Sequence, residues 1–448
     1  MRITTIIIFI AFIAVVSCNN ITDADPSPRK TFVKFYEGPF PITATSVAEI
    51  PTGYVILGNA LVTEIDTTFF ESVLIETDKD GNQVGDFHPL EGGTGKSLQP
   101  IIDNGTVSGY IVVGDNIFTD PQAPQAANVI VSSLRVVAVG NDFEPIRNRY
   151  ISDNRILGPN QVKADFFGGA INLTDNGVII LGTYKEGVAN QQAAPEKQLL
   201  FALDNDLDLD SAWFKTYDLL GNTYLNSKSV HYTNGKIIWA SAIADIQGDF
   251  TFSYVTVPFV EEQSVFENFS QIGQTTLQLF IPSDIQPASS PAFGYGVVGT
   301  YSEQTDGLKG NMFFLRVDAN GNIIPGSDRY FDAIESFGVD ITDVDKNTSS
   351  IVDNGEAITS TSDGGFALAG TLTTNPVKGK GGKDLFLVKV NAFGDVVWMK
   401  TMGGTGDEVP ISIRETGSGD LLVCGTNTIG DYASVFLMKM DKNGELKN

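Results

Sequence analysis

Three stretches of this chain carry residues whose types and spacing suggest chemistry. LEGGTGKS (90–97) sets Lys96 and Ser97 behind a glycine cluster, the order in which a phosphate-cradling loop presents them. Such a loop also needs a glycine five residues before Gly95, where Leu90 stands, and a helix behind it to aim a dipole at the phosphate. SLQPII follows instead, with Pro100 where the helix would run, so the stretch reads as a turn and no nucleotide is expected. VDITDVDKN (339–347) gathers Asp340, Asp343 and Asp345, hard oxygen donors suited to calcium, which is the only cofactor the sequence suggests. The competing reading is a solvated acidic loop. DKDGN (78–82) opens like a calcium loop, but its glycine falls fourth rather than sixth and Pro89 stands at the twelfth position, so it reads as a hairpin turn. DNDLDLD (204–210) occupies the same slot.

The remaining catalytic inventory is short. His88 and His231 are the only histidines, and Cys18 and Cys424 the only cysteines; a four-ligand His/Cys zinc site would need all of them, scattered along the chain, and is not expected. No G-x-S-x-G or H-E-x-x-H occurs, and no catalytic residue is assigned. Cys424 sits in an apolar run and reads as an inert core thiol. The formal charge of −25 repels nucleic acid and anionic lipid headgroups, so neither is expected as a partner.

The first residues read as a targeting segment. Arg2 precedes ITTIIIFIAFIAVV, fourteen mostly apolar residues, too few to span a bilayer, which takes about 20. Val15-Val16-Ser17-Cys18 resembles the bacterial lipoprotein signal, and that resemblance implies cleavage before Cys18 and acylation of its sulfur and new amine. Several acyl chains anchor stably where one does not. Residues 1–17 are thus expected to be a signal peptide, 18–30 a lipidated tether and 31–448 the folded part.

Positioning any site is the task of a repeat. An apolar strand ending in glycine recurs as YVILG to Gly58, YIVVG to Gly114, VIILG to Gly182, YGVVG to Gly299, FALAG to Gly370 and LLVCG to Gly425, and NGKIIWAS (234–241) fills the one double gap. Seven copies at intervals of roughly 55–70 residues match the period of propeller blades. Each reads as four strands, with Asn-Gly or Asp-Gly turns supplying the positive φ angles of tight hairpins. The third strand leads into a D-x-N-G turn, as at Asp318–Gly321 and Asp441–Gly444, and the fourth carries an aromatic two residues before a lysine, as at Trp398/Lys400 and Trp213/Lys215. GGTGKS (92–97) aligns with GGTGDE (403–408), a blade-to-blade connection. The seventh copy lacks its aromatic-x-lysine strand, and KTFVKFYEG (30–38) supplies one, with Phe32 and Lys34 matching Trp398 and Lys400. The expected fold is an all-β, seven-bladed propeller of four-stranded blades, closed by an N-terminal strand that completes the last blade.

These units, DGGF-x-L-A-G-T followed by D-x-F-L-V-K-V-N and W-x-K-T-x-GG-x-G-D-E, resemble the repeats of bacterial secreted and lipoprotein β-propellers of the Bacteroidetes type. The resemblance implies an exported, envelope-bound protein at the outer membrane, on its periplasmic side or the cell surface, and carries no catalytic residue with it. The segments between second and third strands are long and dissimilar: 115–127, 184–197, 301–309 and 372–383. A rigid scaffold with one variable face is how binding proteins are commonly built. A monomer that binds a glycan or an envelope protein through that face is therefore expected. The alternatives are a structural subunit of an outer-membrane complex, or a glycan hydrolase or lyase with two carboxylates about 5–10 Å apart across the central mouth.

Overall fold

The computed structural model describes residues 31–446 except 65–66, 120–129, 152–164, 175–176, 186–195, 205, 208–212, 218–222, 227, 245–249, 261–264, 267–270, 274–279, 290–293, 303–308, 332–350 and 374–381. All its regular elements are strands. They form seven sheets, each a blade built on antiparallel strands, to which blade 5 adds a short parallel pairing with Ile351–Val352. Blade 1 runs through Ile42–Ile50, Gly53–Glu64, Thr67–Asp78 and His88–Leu90. Blade 4 keeps the same plan with its innermost strand split into Thr223–Asn226 and His231–Thr233, both pairing with Lys236–Ala244. That second strand contains the segment that filled the double gap in the repeat.

The second strands explain why their sequences read as unbroken apolar runs. In blade 6 every residue of Phe366–Leu372 is buried. Because strand side chains alternate in direction, Phe366 and Leu368 pack against blade 5, while Ala367 and Ala369 pack against blade 7. The same alternation sends Leu422 and Cys424 of blade 7 toward blade 1, and Leu421 and Val423 toward blade 6. Apolar packing is consequently held in clusters between neighbouring blades, one at each junction around the ring.

The ring closes where the sequence implied. Phe32–Tyr36 pairs antiparallel with Tyr432–Met440, from Phe32 opposite Lys439 to Tyr36 opposite Val435, and becomes the outermost strand of blade 7. The aromatic-x-lysine pattern proves to be a latch onto the next blade. Phe32 lies against Gly81 and Lys34 Nζ donates to Asn82 Oδ1 at 3.0 Å, both in the Asp78–Asn82 turn of blade 1, which stands where other blades have D-x-N-G. One junction earlier, Trp398 Nε1 donates to the carbonyl of Lys442 at 3.3 Å and Lys400 pairs with Glu445 at the turn of blade 7. DKDGN is such a turn: Asp78 Oδ1 accepts the amides of Asp80 and Asn82 at 2.9 and 2.8 Å, which occupies the oxygen a calcium ion would need.

The glycine that ends each apolar run has a steric cause. In blades 1, 5, 6 and 7 the innermost strand bulges by one residue, at Thr45, Ser283, Glu356 and Ile411, and the residue before the bulge stands opposite Gly58, Gly299, Gly370 or Gly425. A Cβ on Gly370 would sit 1.9 Å from the carbonyl oxygen of Asn354, and one on Gly299 2.0 Å from that of Ile281. The glycine lets the bulged strand approach, and the bulge turns its residue toward the axis. Gly370→Ala is expected to lower stability by about 3 kcal/mol, because backbone must move. Gly419→Ala, at a positive φ of 81° with nothing near the added carbon, should cost only about 1 kcal/mol. Equal losses in urea unfolding would contradict this account of the repeat.

Candidate functional site: the central cavity

The seven innermost strands surround a cavity of about 550 Å³ to which every blade contributes. Counted from the bulge, equivalent positions form rings. Two residues on, all seven are apolar and buried: Val47, Leu98, Ile171, Val230, Ile285, Ile358 and Ile413. One and three residues on, most side chains are polar, and several tie one blade to the next. An innermost strand has a free edge whose amides and carbonyls need partners. Ser46 Oγ accepts the amide of Leu98 at 3.3 Å, and Asp284 Oδ2 accepts that of Ile358 at 3.1 Å, the same bond at two junctions. Gln99 Nε2 donates to the carbonyl of Ile171 at 2.9 Å, and its Oε1 accepts the amide of Leu173 at 3.1 Å. His231 takes the place of Gln99 in blade 4, with Nε2 2.7 Å from the carbonyl of Ile285. A carbonyl only accepts, so Nε2 carries the proton. Burial first, and the positive charge of Arg414 second, push the His231 pKa below its ordinary value against that hydrogen bond, keeping the ring neutral.

Charges on this wall come from four blades. Lys96, from the glycine-rich connection, pairs with Asp115 and donates to the carbonyl of Gly168 at 3.1 Å, with Nζ 5.7 Å from the centre of the Phe167 ring. The look-alike lysine thus faces the axis, held by a carboxylate that also accepts the amide of Gly168 at 2.6 Å. Lys228 of blade 4 reaches Glu356 of blade 6 at 2.8 Å, across blade 5. Asp284 is buried and saturated, accepting from Ser229 Oγ at 2.6 Å, from its neighbour's amide Ile285 N at 2.8 Å and from Ile358. Desolvation outweighs those bonds and raises its pKa. Arg414 of blade 7 completes the set.

Other residues singled out by the sequence lie apart. His88 is on the outermost strand of blade 1, stacked on Phe143 with ring centres 4.5 Å apart. Cys424 is a free buried thiol between blades 7 and 1, its pKa raised by burial. Cys18 and Asp340, Asp343 and Asp345 lie outside the described residues. The segments taken as long loops are partly strand. Asp115–Thr119 extends the second strand of blade 2, and the strands flanking the other three segments also run into them, through Lys185 and from Glu196, through Ser302 and from Lys309, and through Leu372. The sequence reading missed Lys228, Asp284 and Arg414 as site residues. It also missed Arg135, 1% exposed, which holds the GGTG connection by donating to Ser72 Oγ at 2.9 Å and to the carbonyls of Leu90 and Gly93 at 3.1 and 3.2 Å.

No family model matches the chain. No curated protein matches it. Among solved structures it is similar to a puromycin hydrolase, with 12% identity and a TM-score of 0.48 over 86% of this chain and 50% of that one. A Trypanosoma rangeli sialidase in complex with sialic acid gives 11% identity and 0.42 over 89% and 60%. A glucose dehydrogenase gives 11% and 0.38 over 91% and 98%. The chain thus spans about half the length of the first and three-fifths of the second. The likeness is one of architecture and transfers no residue role.

His231 generates a pH prediction. Its folded pKa lies below that of the unfolded chain, so below about pH 6.5 the unfolded state binds more protons and stability falls on acidification. The effect is at most ~1.4 kcal/mol per pH unit. His231→Gln places the side chain of blade 2 at the same position and should keep the bond to Ile285. Urea unfolding between pH 7.5 and 5.5 is expected to show a smaller loss in the variant than in the parent. Asp284 titrates in both proteins, so the difference isolates His231.

Proposed function

We propose that the chain is an exported lipoprotein, anchored to the envelope through Cys18, whose propeller holds a glycan or protein ligand on the face bearing the second-to-third-strand loops. The observation that carries the binding reading is the axial cavity of about 550 Å³, lined from the bulge to three residues beyond it. Sites for small ligands or single side groups span roughly 300–1,000 Å³. The lining lies in the first half of the innermost strands of blades 1 and 2 and in the second half of those of blades 5, 6 and 7. Asn172, Gln286 and Thr359 place further donors and acceptors on the wall, suited to a hydroxyl-rich group. Asp284, the carboxylate on the wall, accepts from Ser229, and Lys228 is paired with Glu356, an arrangement that shapes a binding wall.

The anchor and the ligand are tested separately. Cys18→Ala is expected to move the protein from the membrane to the soluble fraction on cell fractionation; retention at the membrane would overturn the anchor. For the ligand, wild-type chain crosslinked in intact envelopes should retain glycan or protein in amounts that fall when free glycan competes. Capture of one fixed, stoichiometric envelope protein, indifferent to competitor, would favour the assembly-subunit reading instead.

A further inference from the structure

The chain as a whole carries 29 basic and 54 acidic residues, yet the charged side chains on the cavity wall are Lys96, Lys228 and Arg414 against Asp284 alone. Two of these cations are already engaged, Lys96 by Asp115 and Lys228 by Glu356. Asp284 is committed to three donors. Arg414 differs. Among the described residues its guanidinium has no hydrogen bond or ion pair; only the more distant charges of Asp284 and Glu49 act on it, with His231 nearby. It is reached by solvent through the cavity while protein surrounds it, and that desolvation lowers its pKa without discharging it.

A guanidinium that lines a cavity with its donors unused by protein is open to an acceptor that enters there. At this ring position in blades 2 and 4, Gln99 and His231 each bond the next strand's carbonyl. Arg414 makes no such tie, so its place in the wall is not explained by holding blades together. The fork geometry of arginine matches a planar or tetrahedral oxyanion with two parallel hydrogen bonds. Lys228, 41% exposed, adds positive potential from across the axis, and the neutral His231 beside it adds no competing charge.

We propose that Arg414 is the anchor of an anion subsite, and that the ligand held in the central cavity presents an oxyanion, carboxylate or sulfate, to its guanidinium. The proposal rests on the reading that the cavity holds a ligand, and it names the group that enters deepest. The net charge of −25 would disfavour polyanions, while a ligand with a single charged group could still reach the cations on the wall.

The test titrates the full chain with inorganic sulfate, glucuronate and glucose by calorimetry at constant ionic strength, in the parent, Arg414→Gln and Arg414→Lys. The expected result is binding of sulfate or glucuronate weakened at least tenfold, about 1.4 kcal/mol, in Arg414→Gln and partly recovered in Arg414→Lys, with glucose unaffected. Which of the two anions binds more tightly distinguishes a sulfate from a carboxylate ligand. Arg414→Gln should also unfold at the same or a higher temperature, because no protein bond is lost; a residue kept for structure would show the reverse. No anion binding by the parent, or equal binding by parent and Arg414→Gln, overturns the proposal. If neutral glycans from the envelope still compete equally in both proteins, the cavity remains a ligand site and the anion subsite alone is lost.

Discussion

A blade of this propeller cannot stand alone, because both faces of its sheet are apolar. Leu422 and Cys424 need blade 1 as much as Leu421 and Val423 need blade 6. Seven such sheets are satisfied only when the first meets the last. An open ring would bare two apolar faces and leave Tyr432–Met440 as an unpaired edge. The pairing of Phe32–Tyr36 with that strand removes both liabilities, and it joins segments some four hundred positions apart by way of five register pairs and the Phe32–Gly81 contact. The closing strand belongs to blade 7 by hydrogen bonding and to blade 1 by side-chain packing, so it fixes the junction from both sides.

From closure follows the cavity. Seven innermost strands held at a common axis expose free edges to one another, and in blades 1, 5, 6 and 7 a one-residue bulge stands beside the repeat glycine. Side chains then do what a neighbouring strand would do in an ordinary sheet. Ser46, Gln99, His231 and Asp284 cap amides and carbonyls of the next blade, so the wall is rigid and its polar groups are largely spoken for. Arg414 shares the ring position of Gln99 and His231 and does not make their bond to the next strand.

Much of the fold was legible because it is written locally and repeated. The glycine after each apolar run, the D-x-N-G turn and the aromatic-x-lysine strand are short patterns, each with a steric or hydrogen-bonding cause. Even the missing strand at the C-terminal end could be matched to KTFVKFYEG by the same pattern. The site was much less legible. Its residues come from seven blades and sit in unremarkable surroundings: Arg414 in ISIRE, Lys228 in NSKSV, Asp284 in PSDIQ. What brings them together is equivalence within the repeat, counted from the bulge, and the bulge leaves no mark in the sequence beyond the glycine on the opposing strand. Lys96 caught attention for a phosphate loop it does not form, and it lies on the cavity wall because the blade connection carries it there. Loop boundaries were overdrawn because strands such as Thr106–Thr119 continue through polar residues once a paired neighbour takes up their backbone groups.

Closure is the central claim, and native-state hydrogen exchange on the chain lacking residues 31–37 tests it most directly. If the amino-terminal strand seals the ring, the amides of Val435–Met440 that face it lose protection, and loss spreads to the blade 1 residues packed on Phe32 and Tyr36. Unchanged exchange at both places would mean that the seven sheets hold together without that strand, and the account given for the fold and for its axial cavity would be wrong.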